Sequence, residues 1–136
     1  MDDLLSEFLT ETNESLEVLD TELVKLEQEP NSPELLDNIF RVMHTIKGTC
    51  GFLGLPRLET VAHSGENVLG RIRDKTLDVD EKRVSIILEC LDKIREILTV
   101  LEETEAEPEG DDTDLINRLE RLVQIADTGE VPSESV

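Results

Sequence analysis

The sequence contains no tryptophan and no tyrosine, and phenylalanine occurs only three times. Its 38% apolar content is therefore almost wholly aliphatic. With glycine and proline also sparse, that composition points to an all-α protein. Basic residues are short as well: 13 Lys and Arg against 33 Asp and Glu leave a net charge of −20. Phosphate backbones are bound through a basic footprint, so nucleic-acid binding is not expected. The same deficit argues against docking on an anionic membrane. No apolar run approaches the roughly 20 residues of a membrane span. The acidic start Met1-Asp2-Asp3 leads straight into an amphipathic helix, unlike a secretory signal, so a cytoplasmic location is expected. Cys50 and Cys90 form no CxxC pair and fall on apolar helical faces, which predicts buried, reduced thiols. A P-loop, a nucleophile elbow and a glycine-rich nucleotide loop are all missing. The chain is not expected to bind ATP by itself.

At 136 residues the chain suits one domain with a genuine core. Apolar residues recur every three or four positions through four long segments, the pattern of helices with one buried stripe. The first spans about 2–27, with Leu5, Phe8, Leu9, Leu16, Leu19, Leu23 and Leu26 inward. Ser32 is placed to cap the second, with Pro33 in its first turn, and that helix continues to about residue 53. Gly54 ends it and Pro56 opens the third, about 56–74. Asp78 and Glu81 resemble a capping box before a fourth helix at about 79–103. Long helices on short loops predict an antiparallel up-down-up-down four-helix bundle over residues 1–103. An acidic connector at 104–112, a fifth helix at 113–126 capped by Asp111 or Asp112, and a disordered tail or linker at 127–136 complete the expected organisation.

Within the second helix, Leu36, Ile39, Met43, Ile46, Cys50 and Leu53 share the buried face, and His44 points well away from it. Lys47 sits three residues on, and Gly48 and Gly51 leave the helix surface beside the imidazole bare. A glycine inside a helix costs about 0.8–1 kcal/mol relative to alanine. Accepting that twice beside one histidine implies that something large must approach it closely. An accessible imidazole beside a cation is what a phosphoryl-accepting histidine requires. On the third helix Glu59, His63 and Glu66 form a polar ridge opposite the apolar stripe. Across an antiparallel seam that ridge can face His44, and Glu66 is the candidate to fix its tautomer. Lys47 is then the cation for the incoming phosphoryl group. The blander reading of His63 is a surface partner of Glu59 or Glu66. A single His-x-x-Glu is also too little for the paired motifs of a di-iron bundle, so no metal is expected.

The segment His44-Thr45-Ile46-Lys47-Gly48, with Gly51 and Gly54 following, resembles the signature of histidine-phosphotransfer (HPt) domains. The leading amphipathic helix, Phe40-Arg41 before the motif, and His63-x-x-Glu66 on the third helix are similar to the N-terminal phosphotransfer domains of the CheA family of chemotaxis histidine kinases. The resemblance implies that His44 is phosphorylated by the ATP-binding domain of a histidine kinase. It implies that the group then passes to an aspartate in a response-regulator receiver of CheY or CheB type. Glu66 falls on the family's histidine-holding carboxylate, and Lys47 and Gly48 on its lysine and glycine. ATP and Mg²⁺ would act through the separate kinase domain and the receiver, so no cofactor is expected here. The chain is expected to be a monomeric N-terminal piece of such a kinase; rivals are a stand-alone phosphorelay protein and a helical adaptor. A receiver would dock over Phe40, Arg41, Gly48 and Gly51, with Arg41 and Lys47 steering its approach.

Overall fold

The computed structural model describes residues 3–129 and places five helices and no strand among them. These are α1 (Asp3–Gln28), α2 (Pro33–Phe52), α3 (Pro56–Arg73), α4 (Glu81–Thr104) and α5 (Thr113–Thr128). Each of the first four packs on its neighbour in chain order, and α4 closes the ring on α1. The result is the expected antiparallel four-helix bundle, with α5 laid outside it against α3 and α4.

Apolar periodicity decides which face each helix turns inward. Leu16, Leu19, Leu23 and Leu26 of α1, Ile39 and Met43 of α2, Leu58 of α3, and Ile87, Leu91 and Ile94 of α4 are fully buried together. Leu5, expected on the inner stripe of α1, is only partly buried at the edge of the core, while Thr12 is buried. Cys50 and Cys90 are buried free thiols, as expected. Burial pushes both up to about 12, so neither is a ready nucleophile.

The helix ends match the expected caps in α2 and differ from them in α4 and α5. Ser32 Oγ accepts from the Leu35 amide at 3.3 Å with Pro33 in the first turn, and Gly54 takes the left-handed conformation (φ +70°) that ends the α2 region. The fourth helix is capped by Asp80, not Asp78: the Asp80 carboxylate accepts from the Arg83 amide at 2.8 Å, and α4 starts at Glu81. Asp78 instead offers its backbone carbonyl to Arg83 Nη1. At the other end of the chain α5 runs to Thr128, two residues past its expected end, and the rest of the expected tail, 130–136, lies outside the described residues.

The acidic stretch between α4 and α5 is pinned to the bundle. Leu55, at the N-cap of α3, supplies no side-chain bond, and Glu107 fills the role from outside the helix. Its two carboxylate oxygens accept from the Arg57 and Leu58 amides at 3.0 and 2.7 Å. Arg57 in turn forks onto Asp112, both bonds 2.8 Å, and donates to the Pro108 carbonyl at 3.2 Å. Asp112, expected as a candidate cap for α5, is therefore committed to Arg57, and Asp111 takes the Thr113 amide at 2.9 Å. Further ion pairs tie Arg118 to Glu89 and Arg71 to Asp127, fastening α5 along its length.

Candidate functional site at the seam of two helices

The site is built on the antiparallel pairing of α2 and α3. Phe40 lies against Gly70, His44 against Glu66, and Gly51 against Glu59. These steps, about one or two turns along each helix in opposite directions, fix the register of the seam. Gly65, one residue before Glu66, packs tightly on α4 and α2 side chains: a Cβ there would lie 2.9 Å from Cys90 Sγ and 3.4 Å from Met43 Cε. Next to that close approach stands Glu66.

Glu66 is buried, with its side chain 8% exposed, whereas His63 and Glu59 are exposed. The polar ridge expected on α3 is therefore split: its Glu66 end rotates into the seam beneath His44 and Lys47. A buried carboxylate is tolerated only when paired, and both its oxygens are. His44 Nδ1 bonds Oε2, and Lys47 Nζ donates to Oε1 at 3.2 Å. Burial raises the Glu66 carboxyl, but the hydrogen bonds from His44 and Lys47, with the Lys47 charge, hold it below the ordinary carboxylate range. A carboxylate is acceptor-only, so the proton of that bond resides on Nδ1. The His44 side chain is 60% exposed, leaving Nε2, with its lone pair, to face outward.

Around this core the remaining candidates separate. A Cβ at Gly48 would meet nothing within 4 Å, as expected of a cleared surface. Gly51 does not keep its surface bare: a Cβ there would sit 2.6 Å from a carboxylate oxygen of the Glu59 side chain, which occupies the space. Arg41 is exposed but ion-paired to Asp37 one turn back, which weakens it as a steering charge. Phe40 is half-buried. Its ring stacks on the His44 imidazole, centroids 6.0 Å apart and planes 16° from parallel, and the Arg73 guanidinium lies 3.9 Å over it. His63 stays outside the Glu66 network and lines an open depression of about 370 Å³ with Lys47, Glu59, Asn67 and Glu120. Sequence reasoning had no means of finding Arg73 and Gly70, whose roles arise only when α3 is set beside α2.

The family model for the Hpt domain matches residues 3–125. The chain belongs to the Hpt domain family. Among curated relatives of this Hpt domain, the sensor histidine kinase CheAY of Helicobacter pylori is 38% identical over 107 residues, covering 76% of this chain and 13% of that protein. The chemotaxis protein CheA of Halobacterium salinarum is 34% identical over 128 residues, covering 93% of this chain and 18% of that protein. The Hpt domain thus spans less than a fifth of the length of these relatives. Among solved structures, the phosphorylated P1 domain of CheA3 in complex with CheY6 from R. sphaeroides superposes with a TM-score of 0.83 at 26% identity, covering 93% of this chain and 99% of that one. A solution structure of the histidine phosphotransfer domain of CheA gives 0.80, also at 26% identity, covering 88% of this chain and 91% of that one. These likenesses make it a CheA-type Hpt domain.

Proposed function

We propose that His44 is the phosphocarrier of a CheA-like histidine kinase acting in the cytoplasm. Nε2 takes the γ-phosphoryl group of ATP held by the kinase's catalytic domain and passes it to an aspartate of a CheY- or CheB-type receiver. The observation that carries this reading is the His44–Glu66 pairing, which puts the proton on Nδ1 and leaves Nε2 open. In the first step the Nε2 lone pair bonds to phosphorus, and the bond to the ADP oxygen breaks, its electron pair leaving with ADP. The nucleophilic nitrogen carries no proton in this tautomer, so no base has to remove one. The positive charge that develops on the ring is met by the Glu66 carboxylate through Nδ1–H. Lys47, one turn from His44 and anchored on the same carboxylate, supplies the cation toward the phosphoryl oxygens. In the second step a receiver carboxylate oxygen attacks phosphorus and the N–P bond breaks, its electrons returning to Nε2. The solved complex of a phosphorylated P1 domain with a CheY supports a receiver as the second partner.

The test is incubation with a CheA-type catalytic core and labelled ATP. The wild-type chain is expected to take up acid-labile phosphate and to surrender it to a receiver, and His44→Gln to take up none. A chain that stays unlabelled, or a labelled His44→Gln, overturns the reading in favour of a helical adaptor or a different acceptor.

A further inference from the structure

A hydrogen bond at Nδ1 fixes one point of the His44 ring but leaves the imidazole able to swing about that bond. An exposed side chain has little else to stop it. The second restraint is on the opposite flank. Phe40 lies one turn before His44 on α2, and its ring is stacked on the imidazole at 6.0 Å and 16°. Such offset stacking at centroid separations of about 4.5–7 Å is a favoured aromatic geometry. Phe40 is itself held on two sides. The Arg73 guanidinium lies 3.9 Å from its centroid. On the α3 side the ring sits close over Gly70: a Cβ there would stand 3.2 Å from Phe40 Cε1, and the ring would have to give by a few tenths of an ångström. α3 therefore supplies Glu66 for Nδ1 and, one and two turns on, Gly70 and Arg73 for Phe40. α2 answers with His44 and Phe40 one turn apart.

We propose that Phe40, seated on Gly70 and covered by Arg73, is a positioning residue that locks the plane of the His44 imidazole so that Nε2 is aimed outward along one direction. Phosphoryl transfer needs the attacking and leaving atoms roughly in line, and a misplacement of about 1 Å can cost 10²-fold in rate. The kinetic consequence rests on the phosphotransfer reading above, whereas the immobilisation of the ring does not.

Three variants of the full chain test this. Phe40→Leu keeps an apolar side chain but removes the stacking face. Phe40→Tyr restores the face. Gly70→Ala keeps the phenyl ring but crowds its seat by a few tenths of an ångström. Two readouts are taken: NMR order parameters of the His44 ring C–H bonds, and single-turnover phosphorylation by a CheA-type catalytic core. In the wild-type chain the ring is expected to be as rigid as the backbone, and in Phe40→Leu it should fall into the flexible range, below about 0.6. The saturating phosphorylation rate of Phe40→Leu should drop roughly 10- to 100-fold. The kinase concentration at half-saturation should meanwhile hold within about twofold, because docking is not what was lost. Phe40→Tyr should recover both readouts, and Gly70→Ala should fall between. A rigid His44 ring in folded Phe40→Leu overturns the proposal. So does a loss that appears only in the half-saturation concentration, which would make Phe40 a docking contact. Should Phe40→Leu fail to fold, rigid His44 ring motion in Gly70→Ala is the contradicting result. A wild-type chain that accepts no phosphate defeats the phosphotransfer reading, and the ring order parameters still decide the role of Phe40.

Discussion

Glu66 holds two donors, the His44 Nδ1–H and the Lys47 ammonium, on one buried carboxylate, which makes it the residue where stability and chemistry meet. Its folded-state pKa lies below the ordinary carboxylate value, so its stabilising contribution is fully present above that value, about 4.3. The contribution is lost as pH falls through the depressed folded value. Thermal unfolding of wild type and Glu66→Gln from neutral to strongly acid pH should therefore show a gap that closes on acidification. A gap constant across that range would mean that Glu66 carries no such linkage. The same pairing fixes the tautomer: ¹⁵N shifts of His44 should report Nδ1–H in the wild type and a redistribution toward Nε2–H in Glu66→Ala. Phosphorylation of Glu66→Ala and of Lys47→Ala should slow by roughly one to three decades without vanishing, since each tunes a nucleophile that it does not supply. The His44 exposure was legible in the sequence from helical phase on its own element, and the choice of Glu66 from an assumed antiparallel seam together with the family resemblance. The burial of Glu66 was not, since it depends on how far α3 is rolled toward α2.

At the scale of elements, α3 is the helix whose placement matters most, and its beginning is secured by residues about fifty positions downstream. Removing Glu107 leaves the Arg57 and Leu58 amides without their acceptor. Glu107→Ala should cost about 0.5–2 kcal/mol, the usual range for a lost helix cap, and speed hydrogen exchange at those two amides. Asp112→Ala should cost more, toward the roughly 3 kcal/mol seen when one partner of a buried ion pair is removed, because Arg57 would remain largely buried without its carboxylate. Equal melting temperatures for wild type and both variants would show that the clasp does not stabilise the domain. Composition alone had suggested a connector here: Glu102 to Asp114 is acidic and carries Pro108 and Gly110. What it hid is that one cation, Arg57, and one exposed pair of helix-start amides were waiting for those charges. Boundaries set by local chemistry, such as Ser32-Pro33 and Pro56, were readable; those set by a partner on another helix, such as Glu107 on α3, were not.

Across the whole molecule, a net charge of −20 surrounds a face of α2 whose two basic residues are both already paired. If a receiver docks here as proposed, long-range attraction to its acidic pocket is expected to be weak, and close contact over cleared surface to carry the docking. Gly48 offers that surface and Gly51 does not, since Glu59 occupies it. Gly48→Leu should thus slow transfer to a receiver sharply while the bundle stays folded, and Gly51→Leu, which displaces only the end of a flexible side chain, should slow it less. The reverse order would place the docking face further toward the end of α2. The phosphotransfer outcomes depend on one atom. After labelling by a kinase core, heteronuclear NMR of the phosphorylated ¹⁵N-labelled chain should locate a single phosphoryl group on Nε2 of His44, with Nδ1 still protonated. Phosphate on Nδ1, or on His63, would contradict it.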